Sequence, residues 1–107
     1  MTAAALPGVL QRFFDTTNAG DTAGFLACFT DDASLDDWGN QYDGRDGIAR
    51  WNETDNIGVG SKLKALSHEA GGEGWRVRVS VAGRGFNGEG NMHFTLTGDR
   101  ISRLVIT

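Results

Sequence analysis

The stretch WRVRVSVAG, residues 75–83, decides the fold class of the chain. Its large apolar side chains, Trp75, Val77, Val79 and Val81, alternate with arginine, serine and alanine. A period of two puts alternate side chains on opposite faces of a β-strand. We therefore predict a half-buried strand that packs one face against a core and leaves the other face in contact with water.

The stretches SKLKALSHEA (61–70), GNMHFTLTG (90–98) and RISRLVIT (100–107) are predicted to be further strands. The second of them alternates apolar and polar side chains from Met92 to Leu96. Segments rich in glycine or aspartate separate the four stretches. Because short turns join antiparallel neighbours, we expect an antiparallel meander in the second half of the chain.

The first half of the chain is predicted to be mostly helical. Apolar side chains recur at i, i+3, i+4, i+7 and i+8 from Leu6 to Phe14, as they do in an amphipathic helix. The sequence NAGD, 18–21, is typical of a turn between two helices, and the second helix would extend to Phe29. A third helix is indicated by four side chains at helical spacing, Ile48, Trp51, Asn52 and Asp55. The fold class is therefore α+β, with helices on one face of a twisted sheet.

The stretch FTDDASLDDWG, 29–39, places four acids around two apolar positions. Within it, ASLDDW has the period of a short strand, which puts Ala33, Leu35 and Asp37 on one face. If this face packs against the core, Asp37 points inward, where burial disfavours the charged form of its carboxylate. Such a carboxylate is nearer to what a general base needs at neutral pH. The alternative is that Asp37 is the last acid of a solvated rim before a turn.

Three stretches carry a resemblance to a known family. They are LQRFFDTTNAGDTAGFLACFTDDASLDDWG (10–39), YDGRDGIARW (42–51) and HFTLTGDRISRLVI (93–106). Together they resemble the nuclear transport factor 2-like superfamily and, within it, the SnoaL-like group of small polyketide cyclases and ketosteroid isomerase relatives. The resemblance covers nearly the whole chain, so residues 1–107 are expected to form a single SnoaL-like domain.

The resemblance implies a cone-shaped α+β domain, in which a strongly curved, mostly antiparallel sheet wraps around three N-terminal helices. It also implies a deep apolar pocket between sheet and helices, and a homodimer formed through the outer face of the sheet. The expected partner is a hydrophobic small molecule, and neither a metal nor an organic cofactor is implied.

The resemblance also suggests which residue is the base. Ketosteroid isomerase uses a carboxylate base together with two hydrogen-bond donors that stabilise the enolate oxygen, and the position of the base falls on Asp37. The positions of the two donors are occupied by Phe13 and Met92, neither of which can donate a hydrogen bond. Loss of one such donor commonly lowers the rate by roughly 100- to 1,000-fold, which argues against steroid isomerisation as the native activity.

Six residues are expected to line the pocket beside Asp37: Phe13, Trp38, Trp51, Asn52, Asp55 and Met92. Asn52 would orient a substrate carbonyl, and Asp55 would lie at the pocket mouth, one helical turn after Trp51. The alternative for the aromatic residues is that they only fill the core, and for Asn52 that it is exposed. His93 is expected to face away from the pocket, on the surface or at the dimer interface.

If the chain is an enzyme, Asp37 removes a proton next to a carbonyl in a cofactor-independent isomerisation, cyclisation or dehydration. The alternative is a non-catalytic module for ligand binding or dimeric association. The lack of donors at positions 13 and 92 favours that alternative.

Composition and charge argue against several other classes of protein. The formal net charge is −4, and the ten Lys and Arg residues are scattered singly, so a nucleic-acid partner is not expected. Residues 1–10 lack a basic start followed by an apolar run, and no run approaches about 20 apolar residues, so we expect a soluble, cytoplasmic protein without a membrane partner. The single cysteine, Cys28, excludes an intrachain disulfide and is expected to be a small core residue.

Overall fold

The structure, a computed structural model, describes residues 6–72 and 74–107. Within these ranges the helices are α1 (Gly8–Ala19), α2 (Thr22–Ala27) and α3 (Gly44–Asp55), followed by one turn of 3₁₀-helix at Ile57–Val59. The strands are β1 (Phe29–Asp37), β2 (Asn40–Asp43), β3 (Lys62–Gly71), β4 (Gly74–Ala82), β5 (Gly88–Thr97) and β6 (Arg100–Ile106). Across the described residues, every helix is too short or too polar to span a membrane.

The turn between α1 and α2 forms as the sequence NAGD predicts. Gly20 ends α1 in the left-handed conformation, with a φ of 71°. Asp21 begins α2, because its Oδ1 accepts a hydrogen bond of 3.0 Å from the backbone N–H of Gly24. The prediction that the second helix extends to Phe29 is wrong. α2 ends at Ala27, and the backbone of Phe29 pairs with β6 as the first residue of β1.

The sheet is curved and unclosed, with the strand order β2-β1-β6-β5-β4-β3. Strands β3 to β6 pair with their chain neighbours in antiparallel orientation, which confirms the predicted meander. β6 then pairs in parallel with β1, and β1 pairs in antiparallel orientation with β2. The first and last long strands are therefore neighbours, so the end of β1 lies beside the end of β6.

Strand β2 was not among the strands predicted from the sequence. It is four residues long, lies at the edge of the sheet and exposes three of its four residues. Edge strands are commonly short and polar, since this discourages pairing with a second sheet. A strand of this kind carries no alternation of apolar and polar side chains from which it could be recognised.

Aromatic side chains fill the space between the helices and the inner face of the sheet. Phe13 on α1 has no exposed surface. Its ring centroid lies 5.1 to 6.2 Å from the centroids of four other rings, those of Phe14, Phe25, Phe29 and Phe94. Tilted and edge-to-face pairs of this kind stabilise a core beyond their burial of apolar area. The closed part of the cone is therefore a packed aromatic core.

Candidate functional site

A cavity of about 310 Å³ lies between the inner face of the sheet and the C-terminal part of α3. Its walls come from α3, from the ends of β1 and β6, and from the strands β3, β4 and β5. The apolar part of the lining includes the buried or half-buried side chains of Trp51, Leu63, Val79, Val81, Met92 and Ile106. A volume of this size is at the lower end of the range of small-molecule pockets.

The sheet register explains why space remains at this place. Gly90 on β5 pairs with Val79 on β4, and both line the cavity. Paired residues of an antiparallel ladder project from the same face of the sheet, so a larger residue at position 90 would project inward. Two residues further along β5, Met92 pairs with Val77, and both of these side chains are buried. The glycine therefore marks the boundary between packed core and cavity.

Asp37, the last residue of β1, lies in the wall of this cavity. Ala33 and Leu35, four and two residues earlier on the same face, are fully buried, so this face of β1 is the packed one. The indole Nε1–H of Trp51 donates a hydrogen bond of 2.9 Å to Oδ2 of Asp37. Among the described residues the indole is the only donor to this carboxylate, so the second oxygen, Oδ1, is available to a ligand.

The three other acids of this stretch have different environments. Asp31 is exposed and forms an ion pair of 2.8 Å with Arg45. Asp32 is exposed as well. Oδ1 of Asp36 accepts a hydrogen bond of 2.8 Å from the backbone N–H of Gly39, which closes the turn between β1 and β2. Only Asp37 of the four acids lines the cavity.

Two of the predicted pocket residues lie at the rim. Trp38 lines the mouth of the cavity, but its side chain is 69% exposed. It also has a positive φ of 52°, which is uncommon for a residue other than glycine. Asp55, in the last turn of α3, is exposed at the same mouth. A third rim residue is Phe86, in the loop between β4 and β5, which the sequence did not suggest.

Two other predicted residues lie outside the lining. Phe13 belongs to the aromatic core described above. Asn52 is buried, and its Oδ1 accepts hydrogen bonds from Asn56 Nδ2 (3.0 Å) and from the backbone N–H of Ile57 (3.4 Å). Asn52 thus stabilises the end of α3. His93 lies on the opposite face of β5 from Met92, with its Nε2 3.4 Å from the hydroxyl oxygen of Thr107.

Five polar residues of the lining were not predicted from the sequence: Asn40, Thr54, Asn56, Ser61 and Asn91. Asn56 and Ser61 are each only 2% exposed, and both contribute to the cavity wall between α3 and β3. A signal was present, because Asn56 follows Asn52 at i+4 and two glycines follow it within four residues. That pattern is typical of a helix that ends in a hydrogen-bonded turn.

The arrangement provides an oriented carboxylate in the wall of a mainly apolar cavity. Such a group can accept a hydrogen bond or a proton from a molecule placed beside it. Within the described residues, no group of three or more His, Cys, Asp or Glu side chains is arranged to hold a metal ion.

Comparisons with known proteins agree on the family and on the fold. The family model of the SnoaL-like domain matches residues 10–104. A "putative polyketide cyclase" of Sinorhizobium meliloti is 29% identical, with 95% of each chain covered and a TM-score of 0.87. No curated protein matches the chain.

Two more distant structures have the same fold. A "putative ketosteroid isomerase" of Kribbella flavida is 19% identical, with 94% of this chain and 74% of that chain covered and a TM-score of 0.80. An NTF2-like protein of unknown function from Cytophaga hutchinsonii is 10% identical, with 100% and 93% covered and a TM-score of 0.82. The cone-shaped α+β fold expected from the sequence is therefore confirmed.

Proposed function

This chain belongs to the SnoaL-like domain family, and we propose that it binds a hydrophobic, ring-containing ketone in the cavity beside Asp37. Asp37 removes a proton from the carbon next to the carbonyl, as the first step of an isomerisation, cyclisation or dehydration. The observation that carries this proposal is the hydrogen bond of 2.9 Å from Trp51 Nε1 to Asp37 Oδ2 in the cavity wall. The description of the Sinorhizobium protein as a polyketide cyclase supports the reaction class.

The size and lining of the cavity favour a compact apolar ligand. A volume of about 310 Å³ accommodates two or three fused rings. Its apolar side chains, which include Leu63, Val81 and Ile106, would be removed from water by such a ligand. Burial of apolar surface is the dominant favourable contribution to binding in pockets of this type.

The indole of Trp51 gives the carboxylate a fixed orientation. Because Oδ2 is occupied by the indole, Oδ1 of Asp37 is the atom that would receive the proton. The C–H bond then breaks, its electron pair forms the enolate, and the protonated carboxyl can return the proton to the same or another carbon. Because the base is already held in position when the ligand binds, less entropy has to be lost on the way to the transition state.

A second candidate function is binding or association without catalysis. Phe13 is part of the core, and Met92 brings only a thioether to the cavity wall, so neither supplies a donor for the enolate oxygen. A module of this kind would bind its ligand equally well with Asp37 replaced by Asn. Association through the outer face of the sheet would give a dimer in analytical ultracentrifugation.

Exchange of carbon-bound hydrogen tests the proposal directly. The probe is 2-tetralone, a two-ring ketone, dissolved in D₂O, and NMR follows the loss of its C1 proton signal. We expect the wild-type chain to accelerate exchange, and D37N to lower the protein-dependent rate by about 100-fold or more, the usual contribution of a general base. The matched control is D36N, which changes the neighbouring acid of the turn and should leave the rate unchanged. Exchange at the background rate in the wild type, or equal rates in wild type and D37N, would contradict the proposal.

A further inference from the structure

The cavity wall contains two buried polar residues that the proposed chemistry does not use. Asn56 and Ser61, on the segment between α3 and β3, are each only 2% exposed and both line the cavity. Asn56 lies five residues after Trp51, the partner of Asp37, which corresponds to about 7.5 Å along a helix axis. Asn56 and Ser61 are therefore buried polar residues of the wall at a distance from Asp37, in addition to the polar lining residues Asn40, Thr54, Asp55 and Asn91.

The hydrogen bonds around Asn56 define which way its amide points. The backbone N–H of Ile57 donates to Oδ1 of Asn52 (3.4 Å), which identifies that atom as an oxygen. The atom of Asn56 that faces it at 3.0 Å must then be the nitrogen, Nδ2, which also lies 3.4 Å from Thr17 Oγ1. The remaining atom, Oδ1 of Asn56, receives no hydrogen bond from any described residue. Among the described residues, the buried side-chain nitrogen or oxygen that lacks a partner is Arg45 Nε, so Oδ1 of Asn56 keeps some accessible surface. Because Asn56 lines the cavity, a donor on a bound ligand can reach this oxygen.

The backbone around Asn56 holds this acceptor in place. Its N–H donates to Asn52 O (3.2 Å), and its carbonyl oxygen accepts from the N–H groups of Val59 (3.2 Å) and Ser61 (3.1 Å). The hydroxyl of Ser61 makes no hydrogen bond to another described residue. A side-chain carbonyl acceptor and a hydroxyl thus belong to one hydrogen-bonded turn in the cavity wall, and together they offer the acceptor and the donor that one hydroxyl group of a ligand needs.

We propose that the ligand of this cavity carries a hydroxyl group at the end remote from its reacting carbon, and that Asn56 Oδ1 accepts a hydrogen bond from it. Ser61 Oγ donates to the oxygen of the same hydroxyl. The ligand class is thereby narrowed from a ring-containing ketone to a hydroxylated one. The inference rests on the proposed function only in that the same cavity binds the ligand. A site that hydrogen-bonds a hydroxyl discriminates strongly against analogues that lack it.

Two ring ketones of equal size provide the test. The probes are 6-hydroxy-2-tetralone and 6-methyl-2-tetralone, with 2-tetralone as the reference, and isothermal titration calorimetry gives each affinity. The wild-type chain is expected to bind the hydroxyl probe about tenfold more tightly than the methyl probe, the contribution of one or two satisfied hydrogen bonds. N56L should remove this preference, so that the hydroxyl probe and the methyl probe bind with equal affinity.

A second variant keeps the test decisive if N56L folds poorly. S61A removes only the hydroxyl and should lower the preference by about threefold, while S67A, on the exposed part of β3, should leave it unchanged. Equal affinity of the wild type for the two substituted probes, or a preference that persists in both N56L and S61A, would overturn the inference.

The two proposals fail in different ways. D37N is expected to lose proton exchange and to keep the preference for the hydroxyl probe, because Asn56 and Ser61 are unchanged. A wild-type preference without exchange would remove Asp37 as a base and leave the hydroxyl site intact. Proton exchange without a preference for the hydroxyl probe would remove the hydroxyl site and leave Asp37 as the base. Failure of all three probes to bind would overturn both proposals.

Discussion

At the scale of single residues, the proposed function depends on the pair of Asp37 and Trp51. The strand period predicted that Asp37 shares a face with Ala33 and Leu35, and the structure buries those two residues completely. The hydrogen bond from the indole was not predictable, because Trp51 is 14 residues away and lies on a helix whose packing no local pattern specifies. Position on a face can thus be predicted from sequence, but the partner that orients the side chain cannot.

Replacing Trp51 by Phe tests the orienting role of the indole. The variant removes the N–H donor and keeps an aromatic ring that can stack on Phe25, whose centroid lies 6.2 Å from that of Trp51. We expect the exchange rate of 2-tetralone to fall about tenfold and its affinity to change by less than about threefold. Kinetics at saturating probe separate the two quantities, and an unchanged rate at saturation would contradict the orienting role.

Cys28 permits a prediction about reactivity at the same scale. Burial raises the pKa of its thiol, and the Arg12 guanidinium and the Thr16 hydroxyl oppose this only in part. Little thiolate is therefore present at about pH 8, and Ellman's reagent should react slowly with the folded chain and rapidly in denaturant. Rapid reaction of the folded chain would show that the thiol is accessible.

The raised pKa of Cys28 also has a defined effect on stability. The unfolded thiol loses its proton near the ordinary thiol pKa of about 8.5, whereas the folded thiol, whose pKa is raised, retains it to higher pH. The free energy of unfolding is therefore unaffected below that pH and decreases as the pH rises above it. Urea titrations at several pH values measure this decrease, and it should be smaller in C28A.

At the scale of elements, the segment from the end of α3 to the start of β3 determines the shape of one cavity wall. Asn56 and Ser61 were missed from the sequence because Asn is common both at exposed helix ends and in buried turns. Only the packing of Thr17 and Asn52 against Asn56 distinguishes the two cases. Strand β2 was missed for a similar reason, since its pairing with β1 depends on a partner elsewhere in the chain and on no apolar alternation of its own.

Gly58 should be essential to this segment. A Cβ at this position would lie 1.5 Å from the carbonyl oxygen of Glu53, so the backbone would have to move. We expect G58A to lower the free energy of unfolding by about 1–3 kcal/mol, as overpacking does. G71A is the matched control, because a Cβ there meets nothing within 4 Å. Equal urea midpoints for the two variants would show that the turn can relax.

At the scale of the whole molecule, the fold divides into a packed aromatic end and an open end that holds the cavity. The alternation of apolar and polar side chains in the second half of the chain predicted the meander. The helical spacing of apolar side chains in the first half predicted that helices cover one face of the sheet. The cavity itself was implied by the family resemblance alone. Its boundary depends on a glycine, Gly90, that lies opposite Val79 in the sheet register, and register is a property of two paired strands.

Filling the cavity should separate ligand binding from stability. Val81 is half-buried and lines the cavity, so V81F would place a ring in space that the ligand needs. We expect the affinity for 2-tetralone to fall at least about tenfold, with the free energy of unfolding unchanged or increased. V81A enlarges the cavity and is the control, with a smaller loss of affinity. Unchanged affinity in V81F would place the ligand elsewhere.

The location of a bound ligand shows whether the cavity beside Asp37 is the binding site. Intermolecular nuclear Overhauser effects can be measured between the protons of 2-tetralone and the assigned side chains of the labelled chain. We expect contacts from the C1 protons to the Trp51 indole N–H and to the Met92 methyl group, both in the cavity wall. Contacts to outer-face side chains such as Thr95 and Val105, with none to Trp51 or Met92, would contradict the claim that the ligand binds beside Asp37.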